Sequence, residues 1–187
     1  MKASKSRIRN TIFVVIIALM IIPQTRTPIQ TFIQKGIAMI SPSVIKEGKR
    51  KALNSYNWQL LDLEGSTISF NKSKDNVVLI NFWATWCPPC IAEMPSLHKL
   101  YDDYKDKVDF YFVSNEEEEV LNKFLKKNDY DFKVQIPKTK YPEAFDVSSI
   151  PRTFLIDKKG NIVIDKTGAA NWNSDKVRAT IDALLNN

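Results

Sequence analysis

Cysteine is almost missing from this chain: two residues in 187, both within NFWATWCPPC, residues 81 to 90. Histidine is scarcer, with His98 alone. A zinc centre takes four ligands, and a CxxC pair with no second pair supplies two. A structural clip gains more from a long loop, roughly 2 kcal/mol for four residues against about 4.7 for a hundred. The chain's only cysteines are therefore poorly placed for a staple. The third alternative is a pair that exchanges electrons.

Long apolar runs are also lacking. The uninterrupted run from Ile12 to Ile22, closed by Pro23, holds eleven residues. As a helix it rises about 16 Å, short of the roughly 30 Å hydrocarbon core. Lys2, Lys5, Arg7 and Arg9 precede it, and the length suits a signal-peptide core. No small-x-small cleavage site follows, only PQTRTP. Extending the span back to Ile8 requires Arg9 and Asn10 to snorkel. Residues 1–23 are therefore expected to be an uncleaved signal anchor, with a cleaved signal as the alternative. Either way the basic flank stays cytoplasmic and the rest is extracytoplasmic, facing the periplasm or cell envelope. No cysteine lies near enough to this segment for a lipoprotein.

The remainder has no excess of basic charge. Residues 1–52 hold ten Lys/Arg and one acid, whereas residues 53–187 hold seventeen and twenty. The net +6 belongs to the appendage, which removes the electrostatic case for nucleic-acid binding. Within residues 24–54, Thr27 and Pro28 start a helical pattern in which Ile29, Phe32, Ile33, Ile37 and Ile40 share one face. Such a stripe fits a membrane interface or a partner, the alternative being a loose stalk. From Ser41 the chain reads as polar linker.

Residues 55–187 have neither repeats nor low-complexity tracts and follow an α/β plan. Two short strands flank Glu64-Gly65-Ser66, an N-terminal hairpin. VVLINFW, from Val77 to Trp83, is apolar throughout, as in a mid-sheet strand. A helix follows, with Ile91, Met94, Leu97 and Tyr104 on one side and Pro95 inside it. VDFYFVS is a second buried strand, leading into the helix EEEEVLNKFLKK, whose acids come first and lysines last. DFKVQI, TFLID and NIVIDK supply further strands, and a helix capped by Ser174 ends the chain.

Cys87 falls where the central strand gives way to a helix. Pro88 and Pro89 suit a first turn, whose N–H groups have no helical partners. The helix dipole there stabilises a thiolate. Cys87 is expected to be the exposed, more acidic thiol and Cys90, one turn on, the more buried. That asymmetry suits thiol–disulfide exchange and favours the electron-exchanging reading.

VVLINFWATWCPPCIAEMPSL and SIPRTFLIDKKGNIV resemble thioredoxin-fold proteins of the TlpA/ResA type, the exported thiol–disulfide oxidoreductases. The likeness covers about residues 55 to 187. It implies a mixed sheet flanked by helices, Cys87 as the attacking thiol and Cys90 as the resolving one. It also implies a cis Pro151 facing the disulfide, with Ile150 presenting backbone to a bound chain. Trp86, Pro88 and Pro89 complete the expected substrate contacts, and Trp83 either walls the site or packs in the core. Glu93 matches the glutamate that follows the CxxC in this family. Burial could raise its pKa so that it shuttles a proton; otherwise it is a solvated helix residue. Asn81 stands where thioredoxin has an aspartate, so proton transfer passes to Glu93 or to water. Glu116 to Glu119 read as a solvated helix start.

The implied partners are protein thiols and disulfides and an integral-membrane electron donor, with the Cys87–Cys90 pair as redox group and no bound cofactor or metal. Family members mostly reduce disulfides, often in cytochrome c maturation. Thiol oxidation and disulfide isomerisation use the same residues. A peroxiredoxin-like peroxidase requires Pro and Thr/Ser where this chain has Ile80 and Ala84, and a redox-inactive binding module would not need the CxxC.

Overall fold

The structure, a computed structural model, describes residues 5–21, 36 and 38–186. Helix α1 (Lys5–Ile21) runs back through Arg9 and Asn10, and Ile12, Phe13, Val14 and Ile17 on it are exposed. Among the described residues no helix is long and apolar enough to cross a membrane. The amphipathic stretch expected over 27–40 lies mostly outside the described residues.

Seven strands form the sheet: β1 (Gln59–Leu61), β2 (Thr67–Ser69), β3 (Val78–Phe82), β4 (Asp109–Val113), β5 (Val134–Pro137), β6 (Arg152–Ile156) and β7 (Ile162–Thr167). Their order is β2-β1-β5-β4-β3-β6-β7. β3 is parallel to β4 and antiparallel to β6, so the sheet is mixed. All five β3 residues are buried, which accounts for its lack of alternation. The β1–β2 hairpin forms as expected, with Gly65 at φ 81°. In the β6–β7 turn Gly160 has φ 82°, and a Cβ there would meet the Tyr56 hydroxyl at 2.9 Å. The positive φ is what calls for glycine at both turns.

Three more helices follow: α2 (Pro88–Tyr104), α3 (Glu118–Asn128) and α4 (Asp175–Leu185). α2 runs through Pro95 without ending. α3 stops at Asp129, whose φ of 55° is left-handed. α4 starts at Ser174, whose Oγ accepts from Val177 N–H.

The helices do not flank the sheet on both sides. Met94, Leu97, Leu121, Val177 and Ile181 all join one cluster, with Leu79, Phe112 and Leu155 from the sheet. Among the described residues the opposite face is closed without an α-helix, by Trp58, Phe70 and Phe145 over Ile80, Phe82 and Phe154. Phe70 lies in a single 3-10 turn. Large aromatic rings cover the area there that a helix would otherwise bury.

The stretch from Ser41, read as linker, lies against the domain. Ile45 N–H donates to Val163 O at 2.8 Å, Ile162 N–H to Lys51 O at 2.8 Å and Leu53 N–H to Gly160 O at 2.9 Å. Val44, Ile45 and Leu53 pack on the two cores. Its polar composition hid this because the bonds are main-chain ones along the β7 edge, which any side chain allows.

Candidate active site

β3 delivers the chain into residues 83–86, and α2 begins immediately after Cys87. Cys87 is the helix N-cap and is disulfide-bonded to Cys90, with Cα atoms 5.2 Å apart. Its Sγ also accepts from Cys90 N–H at 3.3 Å, one of the first-turn donors that has no helical partner. Cys87 was expected to be exposed, but in this oxidised state it is 3% exposed and Cys90 fully buried. The outer sulfur lies against the first turn, on Cys90 N–H. The residue that reaches solvent is Trp86, 70% exposed, beside an exposed Pro88 and a half-buried Pro89. Trp83 is buried in the helix-side core against Phe124.

Glu93 is fully buried, so the solvated alternative does not hold. It follows Cys90 by three residues, which places both on one face of α2. Its Oε1 accepts from Asn81 Nδ2 at 2.9 Å. Its Oε2 accepts from Trp172 Nε1 at 2.9 Å and Ala170 N–H at 3.1 Å. Burial pushes the carboxyl up to about 8, against the pull of those three donors and the Lys166 charge. The group therefore changes charge near neutrality.

The Ile150–Pro151 peptide bond is cis, and Pro151 is buried at the entry to β6. Ile150 is half-buried and lines a 590 Å³ cavity with Phe82, Trp86, Glu116, Tyr141 and Val147. Of the residues expected to contact substrate, Trp86 and Ile150 thus share one cavity wall.

The reading of Glu116 as part of a solvated helix start is corrected; only Glu117 to Glu119 are exposed. Glu116 takes Thr85 N–H on Oε2 and Thr85 Oγ on Oε1, both at 2.6 Å, and Ser114 Oγ on Oε2 at 3.2 Å. It ties down the loop that carries Trp86 and Cys87. The signal for this is the strand register, which the fold supplies. β3 and β4 are parallel with Phe82 opposite Val113, so the residues three beyond each strand, Thr85 and Glu116, emerge side by side. Trp172, Ala170 and Thr153 carried no such signal. His98 on α2 is partly covered, bonded to Asp131 at 2.9 Å and set against Tyr130.

A mixed sheet of this order, with a closed CxxC heading the helix after its central strand, defines a thioredoxin-fold protein. Residues 42–185 match the Redoxin family, to which the chain belongs. It is 40% identical over 121 residues to the thiol-disulfide oxidoreductase ResA of Bacillus cereus, covering 63% of this chain and 70% of that one. It is 35% identical over 137 residues to the thioredoxin-like protein YneN of Bacillus subtilis, covering 71% and 75%. A putative thioredoxin from Neisseria meningitidis, solved in solution, superposes with a TM-score of 0.61 at 29% identity, covering 73% and 93%. Within the thioredoxin superfamily the chain is a TlpA/ResA-like thiol–disulfide oxidoreductase.

Proposed function

We propose that the protein reduces disulfides of other proteins outside the cytoplasm, held to the membrane by its N-terminal segment. The observation that carries the chemistry is the Cys87–Cys90 pair at the head of α2 with a buried carboxyl of neutral-range pKa one turn further on. In the reduced protein the Cys87 thiolate, favoured by the helix N-terminus, attacks one sulfur of a substrate disulfide. The substrate S–S bond breaks and one substrate sulfur leaves as thiolate, to take a proton. The Cys90 thiol passes its proton to Glu93 and attacks Cys87 Sγ. This closes the Cys87–Cys90 disulfide and releases the second substrate thiol, to which Glu93 returns the proton. Two electrons and two protons reach the substrate.

The substrate chain lies across Trp86, Pro88 and Pro89, with its backbone against Ile150 and Pro151. A dithiol of an integral-membrane electron donor resets the pair, and apocytochromes awaiting haem are fitting substrates. Support for export and tethering comes from the basic flank and apolar run of residues 1–23. The reductive direction rests on the TlpA/ResA likeness.

The test is the reduction potential of the Cys87–Cys90 couple in glutathione and dithiothreitol buffers. A value near thioredoxin's, about −270 mV, fits a reductant. A value near about −120 mV, that of a strong oxidant, overturns the direction. Failure of the reduced chain to turn over any disulfide overturns the mechanism.

A further inference from the structure

The donor set around Glu93 is built for one charge state. Three N–H groups converge on its two oxygens, which suits a carboxylate. A protonated carboxyl needs an acceptor, and none of those three groups offers one. Oε2 already takes two of the donors, so the proton belongs on Oε1, where it faces Asn81 Nδ2. Two donors then point at each other.

The same Asn81 holds the remedy. Its Nδ2 donates to Glu93 Oε1 at 2.9 Å and to Thr153 Oγ1 at 2.7 Å. Its Oδ1 is buried with no partner. A buried acceptor left unpaired costs about 1–3 kcal/mol. Turning the amide over about its Cβ–Cγ bond exchanges Oδ1 and Nδ2. Oδ1 then accepts from Glu93 Oε1–H and from the Thr153 hydroxyl, which can rotate to donate. Two hydrogen bonds replace two, the donor–donor conflict is removed, and the unpartnered position passes from Oδ1 to Nδ2.

We propose that Asn81 is a two-state positioning residue whose side-chain amide turns over when Glu93 gains its proton, bonding the carboxylate as donor and the acid as acceptor. It rests on the reading of Glu93 as proton carrier and adds what that role requires of its neighbour, stabilisation of both charge states. An aspartate at position 81 would repel the Glu93 carboxylate, whereas the amide serves either form. The charged group facing Glu93 is Lys166 of β7, and the bonded cysteines do not titrate, so in the oxidised protein the event belongs to Glu93.

The experiment is nuclear magnetic resonance on the oxidised full chain, following the Glu93 side-chain carboxyl carbon and the Asn81 side-chain NH₂ from about pH 5 to about pH 10, a span around the displaced carboxyl value. The two sets of signals are expected to titrate with one midpoint. In Glu93→Gln, whose amide places a permanent donor beside Asn81, the Asn81 signals should hold their low-pH values throughout. In Asn81→Leu, which removes a partner from both charge states, the Glu93 midpoint should move less than in Trp172→Phe, which removes a donor from the carboxylate alone. If Glu93 titrates while the Asn81 signals stay fixed, the two-state amide is wrong and the proton carrier survives. Equal upward shifts in the two variants also rule out the two-state amide and leave the proton carrier standing. A Glu93 carboxyl that does not titrate in this span overturns both.

Discussion

Replacing Glu93 by glutamine should remove a pH dependence of stability whose size follows from the burial of this one group. The carboxyl rises from an ordinary value of 4.5 to about 8 on folding, chiefly through loss of solvent. Unfolded chains release the proton near the ordinary value and folded ones hold it. The folded state is therefore favoured most below about pH 4.5, and that advantage is lost as pH rises to about 8, where the folded group ionises too. At about 1.4 kcal/mol per pH unit, the displacement corresponds to a loss of at most about 5 kcal/mol across that window. Glutamine resembles the acid form in shape, carries no charge and cannot ionise. Chemical denaturation of the oxidised chain at about pH 5 and about pH 9, in wild type and Glu93→Gln, isolates the contribution as a difference of differences, since the other carboxyls are common to both. Wild type should lose several kcal/mol more than the variant between the two conditions. Parallel losses would refute the account, because they mean that Glu93 reaches water or ionises in the fold at an ordinary pH.

Three further outcomes are expected. Glu116→Ala leaves Thr85 N–H and its hydroxyl without their carboxylate, and charge-assisted bonds of this kind are worth about 1.5–3 kcal/mol; denaturant midpoints should fall accordingly and Cys87 in the reduced protein should be alkylated at an altered rate, whereas an unchanged rate and midpoint would show the loop held by other contacts. Trp172→Phe keeps a ring in the core but removes the Nε1–H donor to Glu93 Oε2; the carboxylate loses support, so the pH midpoint of disulfide exchange should rise by about one unit, and a midpoint that stays or falls counts against the bond. Asp129→Gly relieves a left-handed residue at the end of α3 and should stabilise the chain by about 0.5–1 kcal/mol in thermal or denaturant unfolding; a destabilised variant would mean that the aspartate side chain holds the cap.

Much of this was legible without coordinates. The all-apolar run of β3, the switch to helical period after Cys87, the acids-first order of α3 and the turn glycines each mark a local preference set by backbone geometry and solvent, and each element formed where the pattern put it. The CxxC with prolines in the first turn of a helix likewise lay in adjacent residues, whereas Glu93 stood out through the family resemblance and could equally have been solvated. The linker reading of residues 41–54 missed because side-chain polarity says nothing about main-chain bonds to a sheet edge. Which face the helices take was not legible, because aromatic rings can close a face as well as a helix can.

By itself, then, the sequence determined that one dithiol heads a helix behind a buried strand, with a carboxyl and an X-Pro bond as candidate partners. Only the tertiary structure decided that Glu93 is buried, and that its donors come from positions 81, 170 and 172. It also decided that Glu116 clamps the loop before Cys87. The physical reason is separation along the chain. Desolvation and hydrogen bonding depend on which segments meet in space, and the residues that hydrogen-bond the Glu93 carboxyl lie more than seventy positions away on one side and twelve on the other.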